Sequence, residues 1–436
     1  MTPTTRCAGL LAAVAIAGLL LPVWLAIAGA LALLATTLAD GLAVRAAPPL
    51  RRDVEEVLSR GVAAKLSVRA LARDSRRMLL RQPATPALRV RARPAARELH
   101  AELLPLSRGR QRLPGVAAAS LGPLGLARWQ HPAGAPADLL VYPDLVGARR
   151  LVLRLRQGRA APGGRLRRGP LGLGTEFEAI REYSPDDDIR QVNWRASARL
   201  GRPMSNEHRV EQDQEVVCLL DCGRLMAAPI ASGTLLDAAL DALTAVALAA
   251  DELGDRCGAL AFDGDVRRAV SPRRLGGRRV VQALFDVQPT LTDSDFERAF
   301  MGVGGTRRGL VLVLTDVIDV HAARSLVRAA PMLARRHALV VAGVADPSLE
   351  PAVASAEQPG RAPVGPAVEL ETPGVGPAVE LEAAAAQLAA LSVLRAREET
   401  VTRIRRAGAQ VVLSSPSALP ERCVQAYLRA KGRARL

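Results

Sequence analysis

The sequence contains few aromatic residues and almost no lysine. Aromatic side chains make up only 3% of the 436 residues, and Lys65 and Lys431 are the only lysines. A platform of stacked aromatic rings for single-stranded nucleic acid is therefore not expected. The hydrophobic fraction of 49% excludes an intrinsically disordered chain. The cores must consequently be built mainly from Leu, Val and Ala.

Sequence motifs typical of several enzyme classes are also absent. The chain has no GxxxxGKS/T phosphate-binding loop, no HExxH zinc-binding pair and no GxSxG nucleophile turn. Its five cysteines include no CxxC pair. Cys218 and Cys222 fall in one predicted strand, about 13 Å apart, which is too far for a disulfide. These absences favour a protein that is not an enzyme and whose thiols stay reduced in the cytoplasm.

The chain is strongly basic, with a formal net charge of +16. A charge of this size can indicate a nucleic-acid partner or an anionic membrane surface. Arg, Ala, Gly and Pro are abundant together, however, which indicates a compositional bias of the whole genome. We therefore predict no specific nucleic-acid partner. A nucleic-acid binder, whose affinity would fall steeply with salt, remains a rival hypothesis.

Residues 7–39 form a run without any charged side chain. As one helix this run would be roughly 50 Å long, whereas the hydrocarbon core of a bilayer is roughly 30 Å thick. Pro22 and Trp24 interrupt the run, which predicts two spans over about 7–21 and 23–39 that form a transmembrane hairpin within a membrane anchor of residues 1–44. One long tilted or kinked span is the alternative. A cleaved signal peptide is disfavoured because its apolar region normally has about 7–15 residues.

Basic residues follow the apolar run. Arg45, Arg51 and Arg52 come after Asp40, whereas Arg6 stands alone at the other end. The excess of arginine predicts that the following residues lie in the cytoplasm. We expect a protein of the cell membrane, the bacterial inner membrane, with the lipid bilayer as a partner and with cytoplasmic soluble domains.

The soluble part divides into three predicted regions. Residues 45–150 contain short alternating runs separated by proline and glycine, which predicts a small β-rich domain. Residues 151–214 form a connector that includes an apolar-basic alternation over 151–157. Residues 215–436 alternate apolar strands with helices, which predicts an α/β fold with a doubly wound, mostly parallel sheet. A Pro- and Gly-rich insert at 347–381 repeats VGPAVELE and is interpreted as a loop or linker.

The most unusual segment, at 172–202, combines both charge signs with aromatic side chains. Alternating charges of this kind form an ion-pair network that contributes little when exposed but fixes geometry when buried. The segment is interpreted as a structural clasp, with a docking or metal-adjacent surface and a hydrolytic carboxylate cluster as alternatives. The candidate binding residues are Glu176, Phe177, Arg181, Glu182, Tyr183, Asp187, Asp188, Arg190, Trp194, Ser197 and Arg199.

These residues resemble the signature of the DUF58 family, in which a similar stretch precedes a von Willebrand factor A-like domain. Gly122-Pro123-Leu124-Gly125-Leu126 and Tyr142-Pro143 are also similar to family patterns. The resemblance covers nearly the whole chain. It implies a two-span hairpin, a β-rich region and a C-terminal von Willebrand A-like, Rossmann-like sheet. It also implies a partner, a MoxR-type AAA+ ATPase, with which family members are thought to mature other proteins.

The resemblance also raises the question of a metal. Von Willebrand A-like domains often hold Mg²⁺ through a DxSxS loop, a threonine and a second aspartate, since Mg²⁺ prefers oxygen ligands. Here Asp221 matches the first position, but Gly223 and Leu225 replace both serines, and Arg224 adds a positive charge.

The remaining metal ligands would be Asp316 with a threonine, for which Thr290 and Thr292 are candidates. We take the degenerate set as Asp221, Thr292 and Asp316. The competing interpretation is that both aspartates cap loops and helices. We expect no resident cofactor, with Mg²⁺ as the alternative.

We therefore expect a membrane-anchored cytoplasmic adaptor or assembly protein that is not an enzyme. The alternative is an Mg²⁺-dependent hydrolase that uses the carboxylates of Asp221 and Asp316. The two hypotheses differ in their predictions for Asp221→Ala, which should abolish turnover only in the hydrolase.

Overall fold

The computed structural model is a mixed α/β structure with several sheets, as expected at that level from the sequence. It describes residues 1–19, 22–71, 78–132, 134–157, 171–184, 192–209, 213–303, 307–317, 323–345 and 377–432. The chain separates into two compact units, Met1–Tyr142 and Pro143–Leu436.

The first unit contains two helices and short strands. The helices are α1 (Thr5–Ala17) and α2 (Val23–Ala43). The strands are β1 (Thr2–Pro3), β2 (Leu50–Val54), β3 (Val57–Ser59), β4 (Ala64–Ala70), β5 (Met78–Arg81), β6 (Leu88–Arg91), β7 (Glu98–Pro105), β8 (Gly109–Leu113), β9 (Ala117–Leu121), β10 (Ala127–Pro132) and β11 (Ala137–Tyr142). Their sheets run β1-β10-β9-β5, β3-β11-β8 and β2-β4-β7-β6. Within the described residues, all these pairings are antiparallel except that of β3 with β11.

The core of this unit follows the alternation of the strands. In β7, buried and exposed residues alternate along the strand, because successive side chains of a strand point to opposite faces. Its buried Leu103 packs with Leu66 of β4, Leu113 of β8 and Leu139 of β11. The apolar faces of separate sheets are therefore joined without aromatic residues.

The two N-terminal helices pack against each other. The Cys7 sulfur lies 3.4 Å from the Thr37 hydroxyl, and a Cβ added at Gly18 would lie 2.9 Å from that of Ala26. The two helices therefore run antiparallel, and they approach each other closely at Gly18. Helix α2 is long and apolar enough to cross a membrane, whereas α1 is shorter. The prediction of a span over 23–39 corresponds to α2, which continues to Ala43.

The second unit begins with elements around the predicted connector and continues into strands that alternate with helices. Its strands are β12 (Leu171–Glu182), β13 (Met204–Arg209), β14 (Glu215–Asp221), β15 (Pro229–Ile230), β16 (Gly233–Thr234), β17 (Arg256–Phe262), β18 (Val266–Arg274), β19 (Gly309–Leu314), β20 (Ala338–Val344) and β21 (Gln410–Ser414). Its helices are α3 (Leu145–Arg156), α4 (Trp194–Leu200), α5 (Leu235–Glu252), α6 (Gly277–Leu284), α7 (Phe296–Met301), α8 (Ala323–Ala334), α9 (Pro377–Arg406) and α10 (Leu419–Gly432), and a 3₁₀ helix spans Arg224–Ala227.

The main sheet has six strands in the order β18-β17-β14-β19-β20-β21. All are parallel to their neighbours except β18, which pairs antiparallel with β17 at the edge. Strands β14 and β19 are buried along their whole length, which explains their continuous apolar runs. Val217 and Leu219 of β14 pack with residues of α7, α8 and α9, and alternate side chains of the same strand point to the opposite face.

One helix of the second unit extends across the boundary predicted between 150 and 151. The boundary between 150 and 151 falls inside α3, and the alternating run at 151–157 lies mostly within this helix. Asp144 caps the helix by accepting the Gly147 N–H at 2.8 Å, and Ala148 and Leu151 are buried on one face. Helix α3 packs on α5, so tertiary burial outweighs a short alternation that fits a strand equally well. Of the predicted insert at 347–381, residues up to 376 lie outside the described residues and the remainder begins α9.

Candidate functional site

The first candidate site is a clasp formed by β12, α4 and β13. Strands β12 and β13 pair antiparallel, with Ile180 opposite Asn206 and Glu182 opposite Met204. Asn193 caps α4 by accepting the Ala196 N–H at 2.9 Å. The helix ends at Gly201, whose φ of 67° is the left-handed conformation that glycine adopts without strain.

Ser197 fastens the helix of this clasp to the strand. Its hydroxyl donates to the Asn193 carbonyl at 2.8 Å and accepts the Met204 N–H at 2.8 Å. The Asn193 amide also donates to the Asn206 side chain at 2.8 Å. One short side chain thus satisfies a strand N–H and a helix carbonyl, which fixes the geometry of the loop.

Three large apolar side chains are exposed on the clasp, among charged ones. Trp194 is 71% exposed, and Leu200 on the same helix is 55% exposed. Ile180 of β12 is 41% exposed. A large aromatic side chain presented by a rigid element is typical of protein-binding surfaces.

The predicted signature residues differ in their exposure to solvent, and some lie outside the described residues. Arg181, Glu182 and Arg199 are exposed, and Arg202 forms an exposed ion pair with Glu182 at 3.3 Å. Tyr183 is half-buried, and its N–H donates to the Pro203 carbonyl at 2.9 Å. Glu176 and Phe177 lie in β12 opposite Arg209 and His208. The predictions for Asp187, Asp188 and Arg190 fall outside the described residues.

The second candidate site lies at the carboxyl ends of β14, β17 and β19. Asp221 ends β14 and is 4% exposed. One of its oxygens accepts the Gly223 N–H at 2.8 Å and the Ser294 hydroxyl. The other accepts the Thr315 hydroxyl at 2.6 Å. Burial raises the pKa of Asp221, against the effect of these three donors, and Asp263 raises it further.

Asp263 is a second buried carboxylate that the sequence reasoning missed. It accepts the Asp265 N–H at 3.0 Å and the Thr290 hydroxyl at 3.0 Å. The Thr290 N–H in turn donates to the Cys222 carbonyl at 2.8 Å. A sequence signal was available, because Asp263 directly follows β17, and β17 pairs in parallel with β14. The two aspartates therefore reach the same edge of the sheet.

The hydroxyls at this edge come from unexpected positions. The hydroxyls that bond to Asp221 belong to Ser294 and Thr315 and not to the loop directly after β14. Thr292 contributes its carbonyl, which accepts the Arg224 N–H at 3.0 Å, and its methyl group lies over Gly264. Asp316 follows Thr315, is half-buried and lines a small cavity with Met226 and Leu235.

This arrangement fits Mg²⁺ poorly. Both oxygens of Asp221 already accept hydrogen bonds from the protein, with which a hard cation would have to compete. The Arg224 side chain, which ion-pairs with Asp293, adds positive charge nearby. Among the described residues, no group of three or more His, Cys, Asp or Glu side chains is placed to hold a metal ion. The hydrogen bonds instead tie the loops after β14, β17 and β19 together.

Comparison with known proteins identifies one family. The model of the family described as "Protein of unknown function DUF58" matches residues 179–355. The matched residues begin inside β12 and include α4 and strands β13 to β20. Among curated proteins, no match was found. By this match, residues 179–355 form a DUF58 family region.

Proposed function

We propose that this protein is a membrane-anchored cytoplasmic adaptor that works with a MoxR-type AAA+ ATPase in the assembly or maturation of other proteins. The observation that carries the proposal is the hydrogen-bonded clasp with the exposed side chains of Trp194 and Leu200, within the residues that match the family. An exposed tryptophan costs little to keep ordered on such a scaffold, and it would bury a large area against a partner.

The fold of the second unit supports a von Willebrand A-like domain. Numbered in chain order within the main sheet, its strands run 3-2-1-4-5-6, with strand 3 antiparallel. Ligands of doubly wound sheets bind where the order reverses, at the carboxyl ends of the strands. Asp221 and Thr315 lie at this point, between strands 1 and 4. We propose that the loops here brace a docking face.

The partner would supply what the chain lacks. The sequence has no phosphate-binding GxxxxGKS/T loop, so ATP hydrolysis by that route would come from the ATPase. An adaptor needs only a shaped surface and a location near the client.

The proposed location rests on α2 and the arginines that follow it. Helix α2 is long and apolar enough to span a bilayer, and Leu31 and Leu34 on it are 61% and 67% exposed. Arg45, Arg51 and Arg52 favour the cytoplasm for the residues after the span. A transmembrane hairpin of α1 and α2 is the arrangement that we propose.

The hydrolase alternative lacks a comparable supporting observation. A catalytic carboxylate needs an oxygen that can reach a substrate or a water molecule. Asp221 instead bonds with Gly223, Ser294 and Thr315 through both oxygens. This closed arrangement is typical of a structural aspartate.

The test is affinity capture of the tagged full chain from detergent-extracted membranes, with identification by mass spectrometry. The unmodified protein should recover an ATPase with Walker motifs. The Trp194→Ala/Leu200→Ala variant should recover at least tenfold less of this ATPase. Leu291→Ala/Leu388→Ala is the matched control, since these apolar side chains are 93% and 68% exposed elsewhere. The adaptor proposal fails if no such ATPase is recovered, or if the Trp194 variant captures as much as the control. Mg²⁺-dependent phosphoester hydrolysis that Asp221→Ala abolishes would establish the hydrolase instead.

A further inference from the structure

The amino-terminal edge of the main sheet is lined with arginine. The strand register brings this about: Arg274 of β18 pairs with Arg256 of β17, and Arg256 lies beside Glu215 of β14. Another Arg-Arg pair stands directly before β19, and further pairs stand shortly before β20 and β21. Six strands at a spacing of about 4.8 Å spread these residues over roughly 24 Å. The arginines of this edge are Arg256, Arg273, Arg274, Arg278, Arg279, Arg307, Arg308, Arg335, Arg336, Arg405 and Arg406.

Acidic side chains neutralise only part of this edge. Asp213 lies 2.9 Å from Arg274, 3.8 Å from Arg256 and 3.9 Å from Arg307. Its hydrogen bond with Arg274, the largest effect, and the charges of all three arginines lower the pKa of Asp213. Glu215 lies 3.7 Å from Arg256.

Other acidic groups near this edge are also occupied. Asp251 accepts the N–H groups of Gly277 at 2.7 Å and Arg278 at 3.1 Å. Glu252 ion-pairs with Arg156. A separate set of arginines has no carboxylate partner among the described residues: Arg273, Arg278, Arg279, Arg308, Arg335, Arg405 and Arg406.

The arginines near the start of β20 affect the pKa of a buried histidine. His337 precedes β20 and is 5% exposed. Burial lowers the pKa of His337, and the charges of Arg336 and Arg308 lower it further. Leu310 of β19 pairs with Ala338 of β20, so Arg308 and Arg336 lie just before the starts of two neighbouring strands.

Two exposed apolar side chains lie near these arginines in the chain. Leu275 lies in the turn between β18 and α6, within the sequence Arg-Arg-Leu-Gly-Gly-Arg-Arg. It is 72% exposed, and its φ of 52° is a left-handed conformation that is unfavourable for leucine. Met332, in the last turn of α8 before Arg335, is 56% exposed. Neither side chain contributes to the core.

We propose that the amino-terminal edge of this sheet, with Leu275 at its tip, binds the anionic headgroups of the membrane. Arginines would contact the lipid phosphates while Leu275 enters the interface between them. This inference rests on the proposed membrane location but not on the proposed ATPase. Helix α2, in the same chain, would hold the unit near the bilayer, so even weak contacts would be populated. Duplex DNA would neutralise the arginines as well, but it offers no apolar environment to Leu275.

The experiment uses the full chain in lipid nanodiscs. Leu275→Cys provides a labelling site, because the five native cysteines are all buried. An environment-sensitive dye at this position is compared in nanodiscs of neutral phosphatidylcholine and in nanodiscs with 30% phosphatidylglycerol. We expect a blue shift, and at least twofold quenching by brominated lipid, only in the anionic nanodiscs. Both effects should weaken at high salt.

Two charge-reversal variants separate local contact from net charge. Arg273→Glu/Arg278→Glu/Arg279→Glu changes the proposed surface and should abolish the blue shift. Arg324→Glu/Arg395→Glu/Arg422→Glu has the same change in charge and should retain it. These three control residues are exposed on α8, α9 and α10, towards the opposite edge of the sheet.

Each failure has a distinct meaning. If the protein does not co-purify with nanodiscs, the proposed membrane location is wrong. If it inserts but the dye reports the same environment with neutral and anionic lipid, the lipid-binding surface is wrong although the location stands. Equal loss in both charge variants would also overturn it, as would a dye response to duplex DNA but not to anionic lipid.

Discussion

Asp255 and Lys431 form a completely buried ion pair in the second unit. The Lys431 nitrogen lies 2.6 Å from both Asp255 oxygens, and the two side chains are 2% and 0% exposed. Asp255 also accepts the Tyr427 hydroxyl and the Gln214 N–H at 3.2 Å. Burial raises the pKa of Asp255, while Lys431 lowers it. The pair fixes α10 to the loop before β17, and it accounts for one of the two lysines in the chain.

Removal of one partner should therefore be costly. Lys431→Met would leave a buried, uncompensated carboxylate, and we expect the free energy of unfolding of the second unit to fall by about 3–5 kcal/mol. The measurement is urea-dependent pulse proteolysis of the detergent-solubilised chain. Lys65→Met is the matched control because Lys65 is exposed, and it should change stability by less than about 0.5 kcal/mol. Equal effects of the two substitutions would contradict this account of the pair.

Asp221 should behave as a structural aspartate. Asp221→Ala leaves the donors of Gly223, Ser294 and Thr315 without an acceptor, which should cost about 1–3 kcal/mol for each buried donor that stays unpaired. Asp221→Asn retains an acceptor and hydroxyls that can reorient, so it should destabilise much less. Pulse proteolysis of the two variants at pH 7 measures the difference, and similar losses would contradict this assignment.

The pH dependence gives an independent check. Because the folded-state pKa of Asp221 is raised above 3.8, the folded state binds more protons than the unfolded state. The contribution of Asp221 to stability therefore falls as pH increases from about 3.8 through its folded-state pKa. Relative to the unmodified protein, Asp221→Asn should become progressively more stable over this range. A difference that does not change with pH would contradict the raised pKa.

At the level of elements, Asp40 connects the apolar helix α2 to the strands of the first unit. It is 3% exposed, and its carboxylate accepts the N–H groups of Leu124 at 2.7 Å, Leu126 at 2.7 Å and Ala127 at 2.9 Å. The turn at 122–126 lies so close that a Cβ on Gly122 would overlap the carboxylate, at 2.3 Å. This contact gives a structural reason for the Gly-Pro-Leu-Gly-Leu sequence and for a charged residue near the end of an apolar helix.

Asp40→Ala should loosen this connection. Without the acceptor, the three N–H groups lose charge-assisted hydrogen bonds worth about 1.5–3 kcal/mol each. Hydrogen exchange at residues 122–127 should accelerate at least tenfold. Thr36→Ala is the control on the same helix, since Thr36 is exposed and its hydroxyl donates to the carbonyls of Ala32 and Leu33 within the helix. Unchanged exchange in the Asp40 variant would show that the strand pairing of β9 and β10 is sufficient to hold the turn.

From the hydrogen bonds in the loops at the carboxyl edge, we expect Mg²⁺ to change the stability of the fold very little. A site with a dissociation constant of 0.1 mM would stabilise the fold by about 2.7 kcal/mol in 10 mM Mg²⁺. Because both oxygens of Asp221 already accept hydrogen bonds from the protein, we expect the melting temperature in 10 mM MgCl₂ to equal that in EDTA, to within about 1 °C. An Mg²⁺-dependent increase that Asp221→Asn removes would revive the metal site.

For the whole molecule, the location depends on the outer surface of α2. Leu31→Arg/Leu34→Arg places two charges in the proposed span, each opposed by about 2.5–3.5 kcal/mol near the centre of a membrane helix. Most of the protein should then leave the membrane fraction under carbonate extraction. Leu291→Arg, in an exposed loop of the second unit, is the control and should remain. Retention of the double variant would indicate that α2 does not span the bilayer.

The sequence predicted some parts of this structure better than others, for physical reasons. The strands of the main sheet were predictable because β14 and β19 are buried on both faces and contain only apolar residues between their ends. The run at 151–157 could not be assigned from the sequence, because it fits the period of a helix as well as that of a strand. Packing of α3 on α5 decides in favour of the helix. Ser294 lies 73 residues from Asp221, so no local motif could show that its hydroxyl bonds to this carboxylate.

The amino acids by themselves determined the apolar N-terminal run, the alternation of strands and helices, the family signature and the excess of arginine, because each depends on composition or short-range periodicity. Tertiary structure alone decided which hydroxyls surround Asp221, that Asp40 bonds to the turn at 122–127, and that separate arginine pairs form one edge. These depend on contacts between residues distant in the chain. Parallel strands bring their ends together at the edges of the sheet, and that register is set by the packing of the whole unit.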